Sequence, residues 1–570
     1  MRSVPLPSRL SAALATAVLV VGLAACTTTQ PDAASAPDAA EAADALIVVQ
    51  TSPAIAPAPL PPPPMSRETE HRAAALQTIG VTGSRIGQPM PPSANTEHYA
   101  TIDDNPVHRT GDEPVSTFSV DVDTGSYTNV RRMLQQGVRP PKDAVRAEEF
   151  INYFDYGHAA PADRDTPFRV TTELATAPWN AEHRLLMIGI QGYDVPKSTL
   201  PPSNLVFLID TSGSMNSPDK LPLVKTALRQ LVPQLRAQDR VSIVVYAGSA
   251  GLVLPPTPGD RHRTILDALD QLEAGGSTNG GEGIRLAYAM AREARVDGVN
   301  RVILATDGDF NVGVTDPEAL KTLVADQRKS GIALSTLGFG SGNYNDAMAE
   351  QLADVGDGNH AYIDSEREAR RVLADEMQAT LLTIARDVKI QLEFNPAQVA
   401  EYRLIGYENR VLRNEDFAND RVDAGDIGAG HSVTALYELV PVGSATQLPA
   451  LRYGDKAAPA GKSNEIAHLR LRYKPPQGDA SHLIKTPITA AQRRRQPSDA
   501  VQLAAAVAAF ADALRGGERM GMGWGDIARL AGSSDLPDRQ GAIAELRELI
   551  GRAERLTRGD APASGPPVAE

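Results

Sequence analysis

Residues Leu205-Val-Phe-Leu-Ile-Asp210 form an unbroken apolar run that ends in a carboxylate, the pattern of a strand buried on both faces. Helical spacing follows from Asp219 to Leu235, then a second apolar run from Arg240 to Tyr246. A helix is predicted over 261–273, and another ends near Arg295. A third apolar run, Arg301 to Thr306, precedes a helix over 316–330 and a strand from Ile332 to Phe339, with further helices near 345–354 and 365–384. Buried strands alternating with helices of this length predict an α/β fold, a doubly wound and mainly parallel sheet with helices on both faces. Ligands of such sheets bind outside the carboxyl ends of the strands.

Further strands lie on both sides of this region, and in those after it the apolar period changes to two. Strands are predicted at 168–175 and 184–191 before it, and at Val388–Phe394, Ser432–Val440 and Ile466–Tyr473 after it. Alternation of this kind marks antiparallel, half-buried strands. Neither flank supplies enough strands for a stable sandwich, so one β-sandwich built from both flanks is expected, with the α/β domain inserted in it. A helix-like stretch spans Asn129 to Gln136. Near the end of the chain Ser498 can cap a helix from Asp499 to Arg515, and Ile543, Leu546, Ile550, Ala553 and Leu556 have core spacing. The expected organisation is a leader (1–25), an Ala/Pro-rich disordered tether (26–95), an N-terminal segment with strands (96–202), the α/β domain (203–383), an antiparallel β region (384–480), a helical region (481–557) and a disordered tail (558–570).

Three polar clusters fall where strands hand over to helices: Asp210-Thr-Ser212-Gly-Ser214-Met215, Thr278-Asn279 inside a glycine-rich loop, and Asp307-Gly-Asp309. Ser212 and Ser214, two residues apart, can point into one loop beside Asp210, while Thr278 and Asp307 arrive from other loops. All five are hard oxygen donors, suited to Mg²⁺ or Mn²⁺ rather than zinc, with Ca²⁺ a further possibility. Capping of the following helix would account for one cluster, but not for compatible donors in three loops.

These residues resemble the metal-ion-dependent adhesion site of von Willebrand factor type A domains. Asp-x-Ser-x-Ser at 210–214, Thr278 and Asp307 match all five positions of that motif, and the resemblance covers about residues 203–380. The flanks resemble bacterial YfbK-type lipoproteins, through Arg109-Thr-Gly-Asp-Glu-Pro, Phe118-Ser-Val-Asp-Val-Asp-Thr and Glu148-Glu-Phe-Ile-Asn-Tyr-Phe. The resemblance implies a metal held by Asp210, Ser212, Ser214, Thr278 and Asp307, with Met215, Asn279 and Asp309 beside the contact face. It implies a protein partner that offers a carboxylate to the metal.

Targeting narrows the setting. Arg2 and Arg9 precede an apolar run that ends Leu23-Ala24-Ala25-Cys26, and this Cys is the only one among 570 residues. The run is too short for a spanning helix and fits a cleaved secretory signal. The position resembles a lipobox, at which the Cys26 thiol is diacylated and anchors the mature chain without spanning the bilayer. Thr27 rather than Asp implies the outer membrane. Residues 27–64 hold 11 Ala and 9 Pro, a composition that extends rather than packs. Within the tether, Val81-Thr-Gly-Ser-Arg-Ile86 resembles a segment of TonB-dependent receptors. With 56 Lys+Arg against 70 Asp+Glu, and no basic stripe, a nucleic-acid partner is not expected.

Enzyme signatures are missing from the sequence: no phosphate loop, no His-Glu-x-x-His and no Gly-x-Ser-x-Gly. Asp123-Thr-Gly-Ser126 copies an aspartic-protease tetrapeptide, but that chemistry needs a second Asp-Thr-Gly and the chain has none. Asp121, Asp123 and Ser126 imitate the metal loop only loosely, so a structural turn is expected there. Arg558-Gly-Asp560 is read as a chance match, and Met520, Met522 and Trp524 as core. The function expected is metal-dependent protein binding in the cell envelope. The alternatives are a hydrolase, with Asp309 the nearest base to a water-activating metal, and a scaffold that the metal merely stabilises.

Overall fold

The computed structural model describes residues 96–276, 280–308, 317–376, 381–449, 464–538 and 540–559. The expected leader, Cys26, the Val81–Ile86 segment, most of the expected tail, and Thr278, Asn279 and Asp309 lie outside the described residues. Strands β1 (His108–Arg109) and β2 (Val115–Ser119) lead to helices α1 (Gly125–Gln135) and α2 (Ala147–Asn152), then to a long hairpin of β3 (Phe168–Ala177) and β4 (Asn180–Gly192). The α/β region follows as β5 (Ser203–Asp210), α3 (Leu221–Leu231), β6 (Arg240–Tyr246), β7 (Ala250–Pro258), α4 (His262–Asp270) and α5 (Gly280–Glu293). It continues through β8 (Val299–Thr306), α6 (Pro317–Arg328), β9 (Ala333–Phe339), α7 (Asp346–Val355), β10 (His360–Ile363) and α8 (Glu366–Arg370). Next come β11 (Thr383–Phe394), β12 (Val399–Ile405), β13 (Ile427–Gly428), β14 (Ser432–Pro441), β15 (Glu465–Lys474) and β16 (His482–Thr489). Three helices close the chain: α9 (Asp499–Arg515), α10 (Trp524–Gly532) and α11 (Ala542–Arg558).

Among the described residues the strands form three sheets. The central one runs β10-β9-β8-β5-β6-β7, parallel except for β7 at one edge. Side chains alternate between the two faces of a strand, and both faces of β5 are covered, so Leu205 to Ile209 are apolar without a break. Leu205, Phe207 and Ile209 pack with α3 and α4 through Val224, Leu228 and Leu269, whereas Val206 and Leu208 pack with α5 and α6 through Ile284, Tyr288 and Val324.

The other two sheets draw strands from both flanks. One runs β1-β12-β14-β4-β3, and in the other β2 and β15 sit on either side of β11. Phe118, Ile188 and Ile190 from before the α/β region share a core with Ile390, Leu392, Tyr437 and Leu471 from after it. The α/β region is therefore inserted between strands of one sandwich.

Several elements depart from the pattern-based expectation. The helix expected over 365–384 stops at Arg370 and passes into a wider π-type turn over Arg371–Asp375, and by Thr383 the chain is already paired with β13 as a strand. Residues 482–489, expected within a helical region, form β16, because Ile484, Thr486, Ile488 and Thr489 suit a pleated surface and Pro487 is tolerated on an edge. Strand β7 was not predicted, and α1 begins four residues before the helix-like stretch. Ser498 caps α9 by accepting from Val501 N–H at 3.3 Å. Met520, Met522 and Trp524 pack on the helical core with Phe150 and Phe510. Helix α11 ends at Arg558, the first residue of the expected tail.

The sandwich, the α/β region and the C-terminal helices meet through buried arginines. Arg131 donates to Asp364 at 2.5 Å, Glu368 at 2.8 Å, Glu545 at 3.1 Å and the Tyr153 hydroxyl at 2.7 Å. Arg146 pairs with Glu149 and reaches Asp346 at 2.5 Å. Arg410 spans Asp121 at 3.3 Å and Asp354 at 2.9 Å. The Asp-Thr-Gly-Ser turn belongs to this junction. Asp123 accepts the His360 N–H at 2.9 Å, Thr124 accepts from Arg371 at 2.7 Å, and Ser126 donates to Ala144 O at 2.7 Å. It is a structural turn.

Removing one partner from a buried ion network leaves charges uncompensated. Arg131→Met should lower unfolding free energy by about 3–5 kcal/mol, measured by denaturant titration; a loss within about 0.5 kcal/mol, the scale of an ordinary surface substitution, would show that the network is not needed. Acid sensitivity has a source in His431, whose Nδ1 accepts the Gly428 N–H at 3.2 Å. Burial, with the nearby cations Arg371 and Arg301, pushes its imidazole down to about 4. The unfolded chain then takes up the proton first, so stability is full above about pH 6.5 and falls as pH drops toward 4. His431→Asn keeps an acceptor and should abolish about 1–2 kcal/mol of the loss between pH 6.5 and 5. Equal acid-induced drops in Tm for both proteins would reject this assignment.

Candidate metal centre

Strands β5 and β8 are parallel neighbours, with Ile209 opposite Ala305. Asp210 and Asp307 therefore leave adjacent strand ends on the same edge of the sheet, the edge where the α/β fold opens to ligands. Both side chains belong to fully buried residues.

The loop after β5 turns tightly around Asp210. Its Oδ1 accepts the Ser212 N–H at 2.8 Å, and the hydroxyls of Ser212 and Ser214 lie 3.0 Å apart. Ser212 is buried and Ser214 exposed, so the pair leads from the floor of the site to solvent. Backbone bonds stitch this loop to the next one: Gly213 N–H donates to Gly276 O at 3.0 Å, and Gly275 N–H donates to Thr211 O at 2.8 Å. The segment leading to Thr278 is thereby fixed beside Ser212.

Met215 is not on the rim. It is fully buried with Ile209, Leu221 and Phe339, because the 3₁₀ turn over Gly213–Asn216 swings its side chain inward under the loop. The sequence placed it outside only by proximity to the serines.

Asp307 is held from the opposite side. Lys220 donates to its Oδ2 at 2.9 Å, and Asn343 Nδ2 donates to the same oxygen at 3.1 Å. Lys220 also donates to Asn343 Oδ1 at 2.6 Å. Neither residue was among the sequence candidates. Lys220 was legible in part, as a cation one position before α3, whereas Asn343 lies 36 residues from Asp307 in an unremarkable loop. That loop presses on the site directly. Gly308 has φ +84°, and a Cβ there would stand 2.3 Å from Asn345 N, so no other residue fits.

The same loop carries the first described residues. Thr96 N–H donates to Gly342 O at 2.7 Å, Glu97 accepts the Gly342 N–H at 2.9 Å, and His98 N–H donates to Tyr344 O at 3.0 Å. Arg132 of α1 holds the Glu97 carboxylate at 2.9 Å.

The residues present fit a hard divalent ion. Among the described residues the Asp210 carboxylate is buried with only the Ser212 amide and hydroxyl and the Tyr246 hydroxyl to answer it, and a buried carboxylate without a cation is costly. Burial pushes its carboxyl up to about 7, with Asp307 adding to the effect against the pull of the Ser212 amide. Among the described residues no group of three or more His, Cys, Asp or Glu is placed to hold a metal. A site at Asp210 would thus depend on hydroxyl donors, as the sequence pattern implies.

Comparison with known proteins follows this division of the chain. The family model described as von Willebrand factor type A domain matches residues 204–378, one described as von Willebrand factor matches 93–187, and one described as Uncharacterized protein YfbK, C-terminal, matches 379–556. Uncharacterized protein YfbK of Escherichia coli (strain K12) is 48% identical over 472 residues, covering 81% of this chain and 82% of that protein. Inter-alpha-trypsin inhibitor heavy chain H3 of Homo sapiens is 29% identical over 262 residues, covering 42% of this chain and 28% of that protein. The solved von Willebrand factor type A protein from Catenulispora acidiphila aligns with 69% of this chain and 91% of its own, at 16% identity and a TM-score of 0.39. At 48% identity across most of both chains, the protein belongs to the YfbK family, with a von Willebrand factor type A domain at its centre.

Proposed function

We propose that this protein is a lipid-anchored component of the bacterial envelope, facing its partner from the outer membrane, whose type A domain captures an acidic side chain of another protein through a divalent metal. Type A domains commonly mediate protein interactions and often bind a divalent ion, and residues 204–378 match that domain. The observation that carries this reading is the fully buried carboxylate of Asp210, set beside the Ser212 and Ser214 hydroxyls at the strand end next to that of Asp307. Asp210, Ser212, Ser214 and Asp307, with Thr278 from the neighbouring loop, would hold the ion. Bound there, Mg²⁺, Mn²⁺ or Ca²⁺ supplies a Lewis-acidic position for an incoming carboxylate. Asn279 and Asp309 would border the contact face. Few anionic ligands keep such an ion electrophilic, which favours carboxylate capture over a purely structural role.

Full-length protein used as bait on detergent-solubilised envelopes should retain a partner in Mg²⁺ and release it in EDTA. Asp210→Ala should lose that partner while its circular dichroism stays native. Equal retention with and without EDTA would refute metal-dependent capture and leave the scaffold reading. Anchoring is tested separately: Cys26→Ser should abolish palmitate labelling and move the chain from the membrane to the soluble fraction. A variant still labelled and still sedimenting with membranes would exclude Cys26 as the anchor.

A further inference from the structure

We infer that Lys220 is a resident cation of the metal centre: it neutralises Asp307 and thereby weakens divalent-ion binding while raising the charge presented to an acidic partner. The inference rests on the metal-binding reading above and extends it to a residue outside the adhesion motif.

The geometry is specific. Lys220 is 5% exposed, and its ammonium sits between Asp307 Oδ2 at 2.9 Å and Asn343 Oδ1 at 2.6 Å. Asn343 completes a closed three-way arrangement by donating to that same carboxylate oxygen. The alkyl stem is fixed as well. Gly340 has φ +78°, and a Cβ there would lie 2.3 Å from Lys220 Cγ and 2.4 Å from Cε. Glycine at 340 therefore leaves the lane along which the lysine reaches the site.

Two consequences follow from charge. A divalent ion held by Asp210 and the hydroxyls beside Asp307 would sit close to the Lys220 ammonium, and like charges at such range in a poorly solvated loop repel strongly. Affinity for the ion is therefore lower than the two carboxylates alone would give. Once the ion is bound, Asp210, Asp307 and Lys220 together leave the floor of the site with a net positive charge, which attracts a carboxylate ligand. Without the lysine the floor would be neutral.

The test is calorimetric titration of Mn²⁺ into full-length wild type, Lys220→Met, Lys220→Gln and Asp210→Ala, with thermal denaturation of each as a control for folding. The expected result is Mn²⁺ binding that is at least about tenfold tighter in Lys220→Met than in wild type, and absent in Asp210→Ala. A merely structural lysine predicts the opposite sign, since its loss would loosen the loops and weaken binding. Unchanged or weaker binding in Lys220→Met overturns the inference, and if that variant does not fold, Lys220→Gln decides by the same criterion. Wild type that binds no Mn²⁺ while Lys220→Met does would uphold the lysine's role and sink metal-dependent capture by the native chain. Binding by neither would overturn both.

Discussion

Arg131 and its companions Arg146, Arg371 and Arg410 set the constraint on which the rest of the architecture depends. Each is buried or nearly so; Arg131, Arg146 and Arg410 answer carboxylates that arrive from different parts of the chain, and Arg371 joins its local acids Glu368 and Glu376 to the distant Thr124 hydroxyl. Helix α1 supplies Arg131, the α/β region supplies Asp364 and Glu368, and α11 supplies Glu545. A buried ion pair contributes little net stability against an apolar replacement, but a mismatched one is strongly unfavourable. Three layers can therefore come together in one arrangement, the one in which every guanidinium meets its acids. The apolar cores supply the driving force, and the charges select the register.

The inserted topology gives that selection its importance. Strand β14 pairs with β4 across the whole α/β region, and β11 pairs with β2. A boundary drawn in sequence near residue 379 separates strands that share one core, so the C-terminal region of the family is not an independent folding unit in this chain. Loop closure over such separations makes the sandwich a non-local element that is entropically costly to assemble, while the central sheet has mainly neighbouring contacts.

Legibility in the sequence followed the strength of local physics. The runs that became β5, β6 and β8 were readable because both faces are buried, and Asp210, Ser212 and Ser214 because strand ends are where such folds place polar groups. Residues 250–258 were not, since Gly251, Pro255 and Pro256 have the composition of a loop and only pairing with β6 makes them a strand. The helix expected through 384 failed where a local helical period competed with sheet pairing at Thr383. At the metal centre, proximity in sequence misled for Met215, and distance in sequence hid Asn343. A side chain's direction inside a tight turn, and a contact between loops 36 residues apart, are tertiary facts with no local signature.

The contacts of the first described residues have a mechanical meaning. Thr96, Glu97 and His98 lie along residues 342–345, the loop that carries Asn343 and rests on Gly308. Tension arriving from residues before Thr96 would be taken up there, through a few hydrogen bonds and the Glu97–Arg132 pair, before it reached any hydrophobic core. The loop beside Asp307 is thus the first part of the fold to feel a pull on the N-terminal side. A pull at that end would therefore strain the loops around Asp307 and Lys220 before it loosened the sandwich or the helical core.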